Sequence, residues 1–198
     1  MHTTSSAVDN SILARLWPAS PRNAILRGVV LVLAGTALLA MSAHTQVPFW
    51  PVKMSMQTFV VLVLAVAYGG RLAAATVLAY LAEGAVGLPV FVGGAGPAYF
   101  AGPTAGYLVG FAVAAFFVGT LAERGTMRTL PRALFVLFSG DAIVFALGVA
   151  WLAVLFGLEK AAYAGLVVFL PAEALKIALA AALVPLLRRG APETPRNA

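Results

Sequence analysis

Cysteine is absent from the 198 residues, and charged residues make up only 10% of them. Without cysteine, the chain has no disulfides, thiolate metal ligands or thiol nucleophiles. A soluble domain has about a quarter charged residues. The shortage of charge, together with 62% hydrophobic residues and a mean hydropathy of +0.96, excludes an ordinary soluble core. The composition predicts an integral membrane protein with room for roughly six spans of about 20 residues each.

Six apolar segments follow one another along the chain, and each predicts a transmembrane helix. They cover residues 24–43, 56–68, 72–86, 104–122, 133–156 and 162–187. The predicted fold class is therefore an all-α membrane protein with six transmembrane helices in one domain, residues 24–187. Residues 1–23 and 188–198 are predicted to be cytoplasmic tails.

Basic residues are concentrated in alternate connections between these segments. All ten arginines lie in the two tails, at the start of the first segment, or between segments two and three and segments four and five. The opposite connections contain Lys53 and Lys160. This bias predicts that both termini are cytoplasmic. The net charge of +6 therefore records topology and does not indicate a nucleic-acid partner.

Both charge-poor outward connections have unusual compositions. Residues 46–55 are rich in aromatics and proline, which forbids helix and predicts a stiff, extended lid. Residues 87–103 contain five glycines and no charge. Since exposed backbone amides are costly in lipid, this second connection is predicted to be a re-entrant Gly-rich outer loop beside a cavity. It lacks the Gly-Lys-Ser/Thr of a phosphate-binding loop, so it does not predict ATP binding.

Four ionisable residues lie inside the apolar segments, where each is expensive and a functional or paired role is the default. These are Glu83, Asp141, Glu173 and Lys176. A spacing of three places Glu173 and Lys176 on one helix face. They could share a polar ligand, or they could form a structural ion pair between helices. Gln57, beside the first connection, could line a pocket or cap an interface.

Enzyme activity is not predicted, and neither catalytic residues, metal ligands nor a cofactor are expected. Asp141 follows Ser-Gly as in the Gly-x-Gly-Asp signature of intramembrane aspartyl proteases, but Phe138 replaces the first glycine and no matching second acid is present. His44 has no second metal ligand near it in sequence. The sequence leaves open a proton-coupled carrier that relays protons through Glu83, Asp141 and Glu173, and also a structural scaffold.

The longest motifs resemble those of the BioY family of biotin-uptake proteins, the substrate-binding S components of energy-coupling factor (ECF) transporters. The resemblance rests on Gln-Val-Pro-Phe-Trp-Pro-Val-Lys-Met-Ser-Met-Gln-Thr at 46–58, on Gly-Leu-Pro-Val-Phe-Val-Gly-Gly-Ala-Gly at 87–96 continuing to Tyr107, and on Pro-Ala-Glu-Ala-Leu-Lys at 171–176. It implies high-affinity binding of biotin from the external side of a bacterial cytoplasmic membrane. It also implies partners, namely a transmembrane coupling protein and two ATPase subunits, with a solitary or proton-coupled vitamin carrier as the alternative.

The resemblance also implies a set of substrate-binding residues. These are Glu173, Lys176, Gly93, Gly94, Ala95, Tyr107 and Gln57. Biotin has an apolar bicyclic body, a ureido head and an anionic tail, which suits an apolar pocket with a few placed polar groups. Glu173 is expected to accept from a ureido N–H, and Lys176 to donate to a ligand oxygen, either ureido or carboxylate.

Overall fold

The computed structural model describes residues 23–47 and 54–189 of the chain. The described part is a bundle of α-helices with one two-stranded antiparallel hairpin. Its elements in chain order are α1 (Ala24–His44), β1 (Gln46–Val47), β2 (Met54–Ser55), α2 (Gln57–Tyr68), α3 (Gly70–Ala85), a 3-10 helix (Pro97–Ala101), α4 (Ala105–Glu123), α5 (Leu130–Phe156), α6 (Leu158–Ala162), a π-helix (Tyr163–Val167) and α7 (Leu170–Arg189). The predicted tails lie outside the described residues, apart from Asn23 and the end of α7.

Within the described residues, four helices are long and apolar enough to cross a membrane unaided. They are α1, α4, α5 and residues Leu170–Leu187 of α7. The predicted helical class is therefore confirmed. The number of six spans stays a prediction, because α2 has 12 residues and α3 has 16, both short of the roughly 20 residues that a bilayer requires.

The last predicted segment, 162–187, is not one continuous helix. Helix α5 ends at Phe156, and the next residue, Gly157, has a φ of 85°, which glycine adopts easily because it has no Cβ. The chain then forms α6 and the π-helix, turns at residues 168 and 169, and enters α7 with Pro171 in the first turn. Proline is well accommodated there, since its missing N–H is one that the helix start leaves unbonded. These breaks leave room between the ends of α5 and α7.

Small residues allow α4 and α5 to pack with close backbone contact. A Cβ at Gly110 would lie 2.8 Å from Val144 Cα, and one at Gly106 would lie 2.5 Å from Leu147 O. The core continues from this interface into α2 and α3, where Leu62, Ala65 and Val77 are almost fully buried. The same tight packing fixes α5 relative to the rest of the bundle.

Gly110→Ala is expected to destabilise the protein by about 1–3 kcal/mol, because the added methyl group would contact the backbone of α5, which cannot move aside easily. Thermal unfolding of the purified protein in detergent measures the effect. Gly28→Ala in α1 is the matched control, since a Cβ there meets nothing within 4 Å. Equal melting temperatures for the two variants would contradict the close approach of α4 and α5.

Candidate functional site

A cavity of about 490 Å³ lies at one end of the bundle, within the range of small-molecule sites. Its walls come from the β-hairpin, the start of α2, the end of α3, the loop after α3, and the facing ends of α4 and α5. The segment from α6 to the start of α7 closes the remaining side. Most of the lining is apolar or aromatic, including Phe91, Phe111, Phe145 and Phe169.

A buried ion pair forms the polar base of this cavity. Lys176 Nζ lies 2.6 Å from Glu173 Oε1, and the two residues are 5% and 4% exposed. Both belong to the first two turns of α7. Thr58 of α2 completes the cluster, because its hydroxyl accepts from Lys176 Nζ at 3.2 Å and donates to Glu173 Oε1 at 3.3 Å. The predicted meeting of Glu173 and Lys176 on one helix face is confirmed.

Glu173 keeps one free acceptor. Its Oε2 is buried and has no hydrogen-bond partner among the described residues, although Oε1 accepts from both Lys176 and Thr58. A buried carboxylate oxygen without a donor is costly. A ligand N–H in the cavity would satisfy it.

Asp141 of α5 adds a third ionisable group next to this pair. It is 6% exposed, and its carboxyl interacts directly with that of Glu173 and electrostatically with Lys176. Its Oδ1 also has no hydrogen-bond partner within the described ranges. Asp141 does not line the cavity, so it contacts the ion pair from outside the cavity wall. Sequence reasoning singled out this acid but did not place it beside Glu173, because α5 and α7 are distant along the chain.

Gln57 and Tyr107 both line the cavity, at different places. Gln57 Nε2 donates to Tyr80 OH at 2.9 Å, and Tyr80 OH donates to Val90 O at 3.0 Å. Tyr107 OH donates to Gly165 O of the π-helix at 2.6 Å. Tyr80 was missed in the sequence, since a tyrosine in an apolar segment does not by itself signal a site.

Gly93, Gly94 and Ala95 are not among the residues that line the cavity. The two residues just before them in the loop, Phe91 and Val92, do line the cavity. The contact of these three residues with a ligand therefore stays a prediction.

Aromatic side chains hold the Gly-rich loop against the bundle. Phe91 is 2% exposed, stacks on Tyr99 at a centroid distance of 4.6 Å and meets the ring of Tyr80 edge-on at 5.2 Å. Tyr99 OH donates to Val92 O, and Gly96 N donates to Gly84 O at the end of α3. These contacts hold the loop against the bundle, where it forms one wall of the cavity.

Glu83 and His44 lie away from the polar base. Glu83 is half-buried near the end of α3 and does not line the cavity. His44 Nε2 lies 3.1 Å from Pro89 O, which ties the end of α1 to the Gly-rich loop. Within residues 23–47 and 54–189, no group of three or more His, Asp or Glu side chains is placed to hold a metal ion.

The arrangement defines a membrane protein with a preformed binding cavity, apolar along its walls and polar at its buried base. The BioY family model matches residues 11–193. The chain belongs to the BioY family.

Similar proteins agree with this assignment. The biotin transporter BioY of Rhizobium etli is 36% identical over 159 residues, covering 76% of this chain and 85% of that protein. The biotin transporter BioY of Thermotoga maritima is 36% identical over 163 residues, covering 80% and 95%. Among solved structures, the S-component for biotin from an ECF-type ABC transporter superposes with a TM-score of 0.73 at 25% identity, covering 86% of this chain and 95% of that one.

Asp141→Asn is expected to raise the stability of the ligand-free protein by about 1 kcal/mol, because the amide cannot ionise in this buried position and can donate to Glu173 Oε2, which lacks a donor. The melting temperature in detergent measures this gain. Glu159→Gln makes the same chemical change at an exposed position and should leave the melting temperature unchanged. A lower melting temperature for Asp141→Asn would show that its carboxylate stabilises the cluster.

Proposed function

We propose that this chain binds biotin with high affinity and takes it up across the membrane as the S component of an ECF-type transporter. The observation that carries this function is the Glu173–Lys176 pair, buried at the base of an apolar cavity and retaining a free acceptor. Membership of the BioY family and the biotin transporters among its relatives support it. Such a cavity is suited to binding a ligand for transport without changing it chemically.

The chemistry of the base suits a ureido group. Glu173 Oε2 would accept from a ureido N–H, and Lys176 would donate to a ligand oxygen. The apolar bicyclic body would lie against aromatic walls such as Phe111 and Phe145, where burial of apolar surface contributes about 25 cal/mol per Å². Gln57 and Tyr107 would border the ligand, and Gly93, Gly94 and Ala95 would contact it after a shift of the loop.

The proposed topology has six spans, with both termini in the cytoplasm of a bacterial cell. In this topology, the short helices α2 and α3 each cross the membrane. The β-hairpin and the Gly-rich loop cover their outer ends, which is one way in which short spans are accommodated. The cavity is at the end of the bundle opposite the arginines at 71, 124, 128 and 132. By the positive-inside rule, the cavity then faces the outside.

The proposed partners are a transmembrane coupling protein and two ATPase subunits. The sequence has no phosphate-binding motif, so energy from ATP would have to come from other chains. The similarity to an S-component from an ECF-type ABC transporter supports this arrangement.

The relatives do not favour the alternative, a solitary or proton-coupled vitamin carrier, which would use one feature of the site. Asp141 and Glu173 place two carboxyls side by side next to a single lysine, all of them buried. In a proton-coupled carrier, this cluster would take up or release a proton when a ligand enters or leaves the cavity.

Lys176→Met is expected to weaken biotin binding at least 100-fold, because it removes a charge-assisted donor and leaves Glu173 unpaired in an apolar site. Binding of tritiated biotin to the purified protein measures the loss. Glu83→Gln is the matched control, since Glu83 also lies within an apolar segment but outside the cavity. Unchanged affinity in Lys176→Met would refute the assignment of the site.

Uptake is expected to depend on ATPase partners and to survive collapse of the proton gradient. The measurement is biotin uptake by cells that express the chain with or without a coupling protein and ATPases, each with and without an uncoupler. Uptake that needs the partners and resists the uncoupler supports the ECF mechanism. Uptake that persists without partners and stops with the uncoupler would establish the proton-coupled alternative.

A further inference from the structure

Lys160 lines the cavity from the short helix α6. Its side chain is exposed, whereas Glu173 and Lys176 are almost fully buried. The cavity therefore has a charged group at its solvent-facing rim in addition to the ion pair at its base.

The charge balance of the lining singles out Lys160. Among the described residues, three charged side chains line the cavity, and two of them, Glu173 and Lys176, compensate each other at 2.6 Å. Lys160 forms no ion pair with any acid in the described part of the chain, and its neighbour Glu159 does not line the cavity. The rim thus carries one uncompensated positive charge.

The other polar groups around the cavity are uncharged. They are Gln46, Ser55, Gln57, Thr58, Tyr80, Tyr99, Thr104 and Tyr107. Several of these groups already form hydrogen bonds within the protein. Gln57 donates to Tyr80 OH, and Tyr107 donates to Gly165 O. A carboxylate entering an apolar cavity needs a cation or several free donors, because desolvating an unpaired charge is costly. Lys160 is the cation that the lining supplies for it.

Two lysines, one exposed at the rim and one buried at the base, then fit two different ligand oxygens. A donor next to the free Glu173 Oε2 suits a neutral group that both accepts and donates, as a ureido group does. A flexible, exposed ammonium suits an anionic tail that stays partly hydrated.

We propose that Lys160 binds the carboxylate of the ligand's tail at the rim, and that Lys176 donates to the ureido oxygen at the base. This inference rests on the proposed function and deepens it, since it fixes the orientation of the ligand and makes Lys160 a specificity residue. The charge of Lys160 selects a carboxylate over a neutral tail, while the base selects the ring system.

The test compares biotin with biotin amide, which has the same rings and a neutral tail, for binding to the purified full-length chain. Wild type is expected to prefer biotin. Lys160→Met should weaken biotin binding by about three- to tenfold, as expected for a partly exposed charge pair, and leave the affinity for the amide unchanged. The preference of wild type should also shrink at high salt, because exposed pairs are screened.

The control is Arg124→Met, which removes an exposed cation outside the cavity and should keep the preference for biotin. An unchanged preference in Lys160→Met would overturn the inference. So would a loss of preference confined to Lys176→Met, since that would place the carboxylate at the base. If wild type bound neither compound, the proposed function itself would fail, and that outcome is distinct from a failure of Lys160 alone.

Discussion

An ammonium and a carboxylate inside an apolar bundle must neutralise each other, and the structure around the cavity depends on this requirement. Leaving either charge of the Glu173–Lys176 pair alone in the interior would cost several kcal/mol. Thr58 bonds to both partners, so α2 is held against α7 by the same cluster that forms the base of the site. Stability and binding are therefore linked here, because the groups that recognise a ligand also join two helices.

The cavity exists because the chain does not continue as regular helix after α5. Gly157 ends that helix, and the π-helix Tyr163–Val167 and the following turn carry the backbone around the space that a straight helix would occupy. Irregular backbone in a membrane has to find partners within the protein. Tyr107 OH provides one for the segment after α5 by donating to Gly165 O, and Trp151 Nε1 provides one for the Gly-rich loop by donating to Gly102 O. Side chains at or beside the cavity thus compensate for the irregularity that creates it.

The features predictable from sequence were those with local causes. Apolar segments, charge-poor connections and the spacing of Glu173 and Lys176 are read from neighbouring residues. The structure contains helices in those segments and an ion pair at that spacing. The breaks within the last predicted segment were not foreseen, because its apolar sequence between residues 161 and 170 is compatible with regular helix. The proximity of Asp141 to Glu173 and the position of Lys160 at the rim are tertiary facts, set by how α5, α6 and α7 pack. No pattern within one segment reports them.

A series of three hydrogen bonds connects the β-hairpin, the cavity lining and the uncharged Gly-rich loop. Ser55 of the hairpin donates to Gln57 Oε1, Gln57 donates to Tyr80 OH, and Tyr80 donates to Val90 O in the loop. Gln57 and Tyr80 both line the cavity, so a ligand that contacts either one acts on the bonds that hold the loop. Phe91 packs on the same Tyr80 ring and is buried. The loop is therefore attached to the cavity in two ways, by a polar chain that passes through the lining and by a buried aromatic contact.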